Sequence, residues 1–202
     1  MHRRRFLLST VLYTVTSSTL FAQSNEQSGF LSSLLGGQSQ PSDNWSPGRY
    51  RGKQIVDYET KEPPGTIIID TRKRALYHVQ PGGKALAYGV GVGRRGFRWS
   101  GTAHIGRKTE WPAWHPPKEM IKRERRRGKK LPDRMEGGPE NPLGARALYL
   151  FQGEKDTLYR IHGTNAPKTI GRALSSGCIR MLNEEVIHLY DHVQIGAKVI
   201  VL

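Results

Sequence analysis

Cysteine is almost absent from this chain: Cys178 is the only one in 202 residues. A lone thiol cannot be half of an intramolecular disulfide, so it is either buried and idle or kept for its reactivity. Acidic residues are scarce too. Seventeen Asp and Glu stand against 32 Lys and Arg, a formal charge of +15. That excess suits polyanionic surroundings without naming the polyanion. Hydrophobic residues make up only 36% of the chain, low enough to place a polar segment outside any core. No internal repeat is visible, and the length suits one domain with an appendage.

Two further absences remove whole classes of chemistry. His188 and His192 stand four apart on an expected helix, a spacing that can bind metal. A metalloprotease needs a glutamate directly after the first histidine, and Leu189 is there instead. Gly89, Gly91 and Gly93 form a Gly-x-Gly-x-Gly run, but the residues after it do not read as the helix that a phosphate-cradling loop requires. Close backbone packing or strand bulges account for these glycines better. No metal and no organic cofactor is implied.

What is present begins with an export signal over residues 1–22. Arg3, Arg4 and Arg5 are its charged start, residues 6–21 are apolar with hydroxyls mixed in, and Ala22 precedes polar Gln23. Arg3-Arg4-Arg5-Phe6-Leu7 also resembles a twin-arginine motif, with an ordinary secretory signal as the alternative. The apolar stretch is too short and interrupted for a permanent span, which needs ~20 apolar residues. Membrane contact is therefore expected only through an uncleaved signal. Export also argues against nucleic acid as the polyanion and for an anionic cell wall. Residues 23–60, rich in Ser, Gln, Gly and Pro, read as a flexible tether. Residues 61–202 read as the working domain.

Within that domain, residues 66–70, 75–79, 85–92, 147–151, 157–161 and 198–202 read as short strands parted by turn residues. Asn183 reads as the cap of a helix over 184–193, with Val186, Leu189, Tyr190 and Val193 on its apolar face. The fold class is mostly β, a sandwich or open barrel with one clear helix after the cysteine. Residues 111–117, stiffened by three prolines, form a rigid loop that borders the site or is pinned to the sheet. Residues 118–127 read as a short basic helix, either a solvated face or a wall-binding one.

The chemistry centres on Cys178 and His162. Residues 158–162 read as a strand ending at Gly163, which sets His162 at a strand end. Cysteine with histidine is the minimal nucleophile–base pair for acyl transfer. Gly177 permits an unusual backbone beside the thiol, and Arg180 is close enough to favour thiolate. With an adjacent imidazolium adding to that effect, Cys178 is expected to react below the pH at which an isolated thiol does.

The run His162-Gly163-Thr164-Asn165-Ala166-Pro167, then Ile170-Gly171, then Ser175-Ser176-Gly177-Cys178-Ile179-Arg180-Met181-Leu182-Asn183 closely resembles the signature of the L,D-transpeptidase catalytic domain, YkuD type. The likeness extends upstream through Asn141-Pro142-Leu143-Gly144 and the segment near Trp111, over roughly residues 60–202. The family's usual pattern has histidine where this chain has Ser176. The resemblance implies a β-rich domain with the Cys178 and His162 segments side by side at a cleft. It implies acyl transfer between peptidoglycan stem peptides, with Cys178 as nucleophile and His162 as general base. Backbone N–H groups of Cys178, Gly177 and Ser176 are the oxyanion candidates. Arg180, Ser175 and Gly163 complete the candidate set, Arg180 through a substrate carboxylate, the thiol or a structural ion pair, and Gly163 through a carbonyl that orients the imidazole. The alternatives are hydrolysis of the same acyl-enzyme, as in an L,D-carboxypeptidase or a cross-link-cleaving enzyme, and an inactive wall-binding module. Oligomeric state is not legible.

Overall fold

The structure, a computed structural model, describes residues 52–95 and 99–202. The expected export signal and most of the expected tether lie outside the described residues.

The described residues form eleven strands: β1 (Gln54–Asp57), β2 (Ile67–Asp70), β3 (Ala75–Gln80), β4 (Lys84–Gly89), β5 (Val92–Gly93), β6 (Gly101–Glu110), β7 (Arg146–Gln152), β8 (Lys155–His162), β9 (Ala173–Ser175), β10 (Ile179–Arg180) and β11 (Lys198–Val201). Helix α1 covers Lys118–Arg126 and α2 covers Asn183–His192. Nine strands form one mixed sheet in the order β1-β4-β3-β2-β11-β6-β7-β8-β10, and β5 pairs with β9 in parallel. The sheet bends back on itself. Gly91, just past β4, exchanges two backbone hydrogen bonds with Arg180 of β10, each 2.8 Å. Of the two architectures expected, this is the open barrel.

The core follows from strand composition. Ile67 and Ile69 of β2, Leu76 of β3, Leu148 and Leu150 of β7 and Val199 of β11 point inward and are fully buried. Val186, Leu189 and Val193 of α2 close over them, as the apolar face of that helix requires. A second cluster of Ile68, Tyr77, Val79, Ala85 and Ala87 fills the opposite face of β2–β4.

Three expectations change here. Gln54–Asp57, inside the expected tether, is an edge strand antiparallel to β4. Its partner supplies the ladder, and Val56 and Tyr58 cover the second cluster, with the Tyr58 ring stacked on Tyr77 at 4.5 Å. The expected strand over 85–92 stops at Gly89, because Val90 bonds Arg74 and Gly91 turns to Arg180. Asn183 does not cap α2: Leu182 is the cap residue, and no side chain caps the helix.

A chain begun at residue 61 loses β1 and Tyr58, whereas one begun at residue 52 keeps both. Aromatic stacking is worth about 0.5–1.5 kcal/mol beyond the area it buries. The shorter chain is expected to unfold about 1–3 kcal/mol more easily in urea. Equal midpoints would show that β1 contributes nothing.

Candidate active site

Parallel pairing of β10 with β8 builds the site. Ile179 lies opposite Ile161 and Arg180 opposite His162, while Met181 N–H donates to the His162 carbonyl at 2.8 Å. Cys178 and His162 thereby line one cleft of about 220 Å³. The other walls are Trp114 and Pro117 from the proline-rich loop, Met120 and Arg123 from α1, and Leu143, Thr164 and Leu174. The 111–117 loop borders the site, the first of the two readings, and is held by a loop segment and not by the sheet. Trp114 faces the cleft, while its backbone pairs with Met135 through hydrogen bonds of 2.8 and 2.9 Å.

His162 is buried, and its Nδ1 lies 2.6 Å from the Gly163 carbonyl oxygen. A carbonyl can only accept, so Nδ1 carries the proton and Nε2 keeps its lone pair. This is the role foreseen for Gly163. It acts through its carbonyl and not as an oxyanion donor, since its own N–H donates to Arg146 O at 3.1 Å.

Ser175 is buried beneath the thiol turn. Its hydroxyl donates to the Cys178 carbonyl at 2.6 Å and accepts from Gly177 N–H at 3.2 Å. Ser175 therefore clamps the turn, and one expected oxyanion donor, Gly177 N–H, is already engaged. Gly177 has φ of 123°, a conformation L side chains rarely adopt, which is why glycine precedes the cysteine. The amides of Cys178 and Ser176 remain as donors. Ser176 is exposed at the cleft, and its side chain makes no hydrogen bond among the described residues.

Several supporting residues fall within the family likeness, but nothing in the sequence showed what they hold together. Asn183 Oδ1 accepts from the amides of Ala145 and Thr164, each 3.1 Å, tying both loops beside His162 to the start of α2. A Cβ on Gly144 or Gly163 would collide with that oxygen. Asn141 does the same for the far wall. Its Nδ2 donates to the carbonyls of Pro112, Met135 and Glu136 at 2.9–3.2 Å. Leu158, beside the thiol, has φ of 63°, a rare conformation for leucine. Its N–H donates to Asp156 Oδ1 at 2.8 Å, and Asp156 forks Arg160 at 2.7 and 2.9 Å. Its carbonyl oxygen lies 3.9 Å from Cys178 Sγ.

A model of the L,D-transpeptidase catalytic domain family (YkuD) matches residues 64–201. The chain belongs to this family. The protein named "Probable L,D-transpeptidase ErfK/SrfK" of Escherichia coli (strain K12) is 34% identical over 138 residues, 66% of this chain and 42% of that relative. This chain thus matches less than half the length of that relative. A solved structure from Brucella melitensis, named "Probable carnitine operon oxidoreductase caia", is 51% identical with a TM-score of 0.51, covering 76% of this chain and 94% of that one. In the present L,D-transpeptidase domain, the first helix described after the glycine run begins at Lys118. A second solved structure, the "Ldtfm-avibactam carbamoyl enzyme", shares the fold with a TM-score of 0.52 at 16% identity, covering 70% of this chain and 49% of that one.

The electrostatics of this L,D-transpeptidase site correct the expectation of a ready thiolate. Burial lowers the His162 pKa to about 4. The carbonyls of Gly163 and Leu143 oppose that shift, and the Arg180 and Arg160 cations add to it. Burial also pushes the Cys178 thiol up, against the pull of the Arg160 backbone and the Arg160 and Arg180 charges. Both groups therefore rest neutral, because withdrawal from water outweighs the nearby cations. On α2, His188 and His192 stack at 4.2 Å, and His188 Nδ1 meets the Tyr88 hydroxyl at 3.0 Å. His192 is exposed as foreseen, whereas His188 is half-buried.

Alkylation of Cys178 is expected to rise only above the pH at which a free thiol reacts, whose pKa is about 8.5. A midpoint below that value would restore the thiolate reading. His162 also makes stability depend on pH. Between its ordinary value of 6.5 and about 4, the unfolded chain takes up a proton that the folded protein refuses. Stability contributed above 6.5 is therefore lost as pH falls through that window. Glu185, raised to about 7 by burial, acts in the opposite sense from 4.5 upward. Comparing wild type with His162→Gln removes that contribution. The variant should lose less stability on acidification, and parallel urea midpoints across the window would contradict the burial of a neutral imidazole.

Proposed function

We propose that this chain is a peptidoglycan L,D-transpeptidase in which Cys178 is the nucleophile and His162 the general base. The observation that carries the reading is the shared cleft of Cys178 and His162, with Nδ1–H held by Gly163 so that Nε2 is the basic nitrogen. His162 takes the thiol proton as Sγ attacks the carbonyl between the L-centre of the third stem residue and the terminal D-alanine. The amides of Cys178 and Ser176 receive the developing oxyanion. Collapse of the tetrahedral intermediate breaks the peptide bond, and the proton on His162 leaves with the D-alanine amine. An acceptor amine then attacks the thioester, gives its proton to His162 and restores the thiol. A neutral resting pair suits this order, since a neutral imidazole is already the base that the first step needs.

Export through the signal at residues 1–22 belongs to the same reading, because peptidoglycan lies outside the cytoplasmic membrane. The basic surface, including Arg123, Arg125 and Arg126 of α1, suits an anionic wall.

Incubation with a defined disaccharide-tetrapeptide and an amine acceptor tests the proposal by mass spectrometry. Expected are a thioester adduct on Cys178, free D-alanine and a cross-linked product. Cys178→Ala should abolish all three, and His162→Gln should slow turnover by about 10²–10⁴-fold. Release of free tripeptide without cross-link would assign hydrolysis instead. No adduct on the wild type would overturn the reading.

A further inference from the structure

Among the described residues, three arginines, Arg94, Arg123 and Arg180, line the cleft beside Cys178, and no aspartate or glutamate does. The three differ in how their charge is met. Arg123 donates through Nε to Glu124 at 3.1 Å, so it is neutralised locally. Arg94 is set on the rim by its N–H, which donates to the Ser175 carbonyl at 3.1 Å.

Arg180 differs from both. Its Nε and Nη2 are enclosed and reach no hydrogen-bond acceptor among the described residues. They lie against Gly91, where a Cβ would come within 3.2 Å of Nε and 3.3 Å of Nη2. That contact packs one edge of the group against Gly91, and Arg180 also lines the cleft. Burial without a counter-charge is unfavourable for a cation, so the folded protein holds an unmatched positive charge facing its ligand.

We propose that Arg180 makes this cleft a carboxylate-reading subsite: acyl donors with a free carboxylate near the reacting carbonyl are taken in preference to the same donors carrying a carboxamide there. A carboxylate in the cleft supplies the counter-charge that the guanidinium lacks. A carboxamide supplies no charge. Arg94 adds a weaker contribution from the rim. The identity of the donor as a stem peptide rests on the transpeptidase reading; the charge preference does not.

Iodoacetate and iodoacetamide separate the two. They alkylate the same sulfur and differ only in carboxylate against carboxamide. Their rate ratio on Cys178 therefore cancels the thiolate fraction. In the wild type the ratio of iodoacetate to iodoacetamide should exceed that of 2-mercaptoethanol by about tenfold. Arg180→Gln should bring it back to the free-thiol value, and Arg180→Lys should keep part of the preference. Raising the ionic strength of the wild type should also lower the ratio, which gives an answer even if Arg180→Gln does not fold. A ratio equal to that of the free thiol, or unchanged in Arg180→Gln, or flat with salt, would overturn the subsite.

Tetrapeptide donors with free or amidated side-chain carboxylates form the second arm. Wild-type kcat/KM should favour the free acid by a similar factor, and Arg180→Gln should lose that preference. An intact alkylation preference with no turnover on any peptide would sink the transpeptidase reading and leave the subsite standing. Normal turnover with a flat alkylation ratio would sink the subsite alone.

Discussion

The reciprocal hydrogen bonds between Gly91 and Arg180 are the constraint on which the rest depends. They join the segment leaving β4 to β10, the last strand of the sheet, and so bend nine strands toward closure. A Cβ at position 91 would crowd the pairing, since that atom would lie 3.1 Å from the Thr169 carbonyl oxygen as well as against the Arg180 guanidinium. With β10 held on this side and β8 on the other, the turn that carries Cys178 has little freedom. Ser175 removes most of what remains by bonding both the Cys178 carbonyl and the Gly177 amide. Position, shape and charge at the nucleophile therefore share one mechanical origin.

Much of this was legible in the sequence, for reasons that particular residues make clear. The β-branched run Ile67–Ile69 and the spaced Val186, Leu189 and Val193 show their periods directly, and the structure buries them as those periods require. Cys178 stood out as the lone cysteine, and His162 by its place at a strand end before Gly163. What stayed hidden depends on partners distant in the chain. Asn183 looks like a helix cap because it sits at a helix start. Its oxygen instead serves amides 38 and 19 residues upstream. Asn141 joins segments that are 29 and 5 residues away. Side-chain bonds to distant backbone have no local period to betray them. The strand β1 is hidden for a related reason. Four mostly exposed residues become a strand only because β4 offers an unpaired edge.

The charge state of the pair follows the same logic. The neighbours of Cys178 in sequence and space are cations, and counting charges alone argues for thiolate. Geometry decides otherwise, because withdrawing both groups from water penalises imidazolium and thiolate together. The arginines then act less on the resting sulfur than on what enters the cleft. Arg160 is already satisfied by Asp156 and lies 4.3 Å from the Tyr149 ring centroid. Arg180 is not.

A thiol held in its protonated form has a bearing on durability. Peroxides and disulfides react with thiolate, and the step to sulfenic acid tracks thiolate character and exposure. A half-buried, protonated Cys178 is thus a slow target for oxidants, although no second cysteine stands by to form a protective disulfide. The burial that delays the sulfur's chemistry until a substrate arrives also preserves it between substrates.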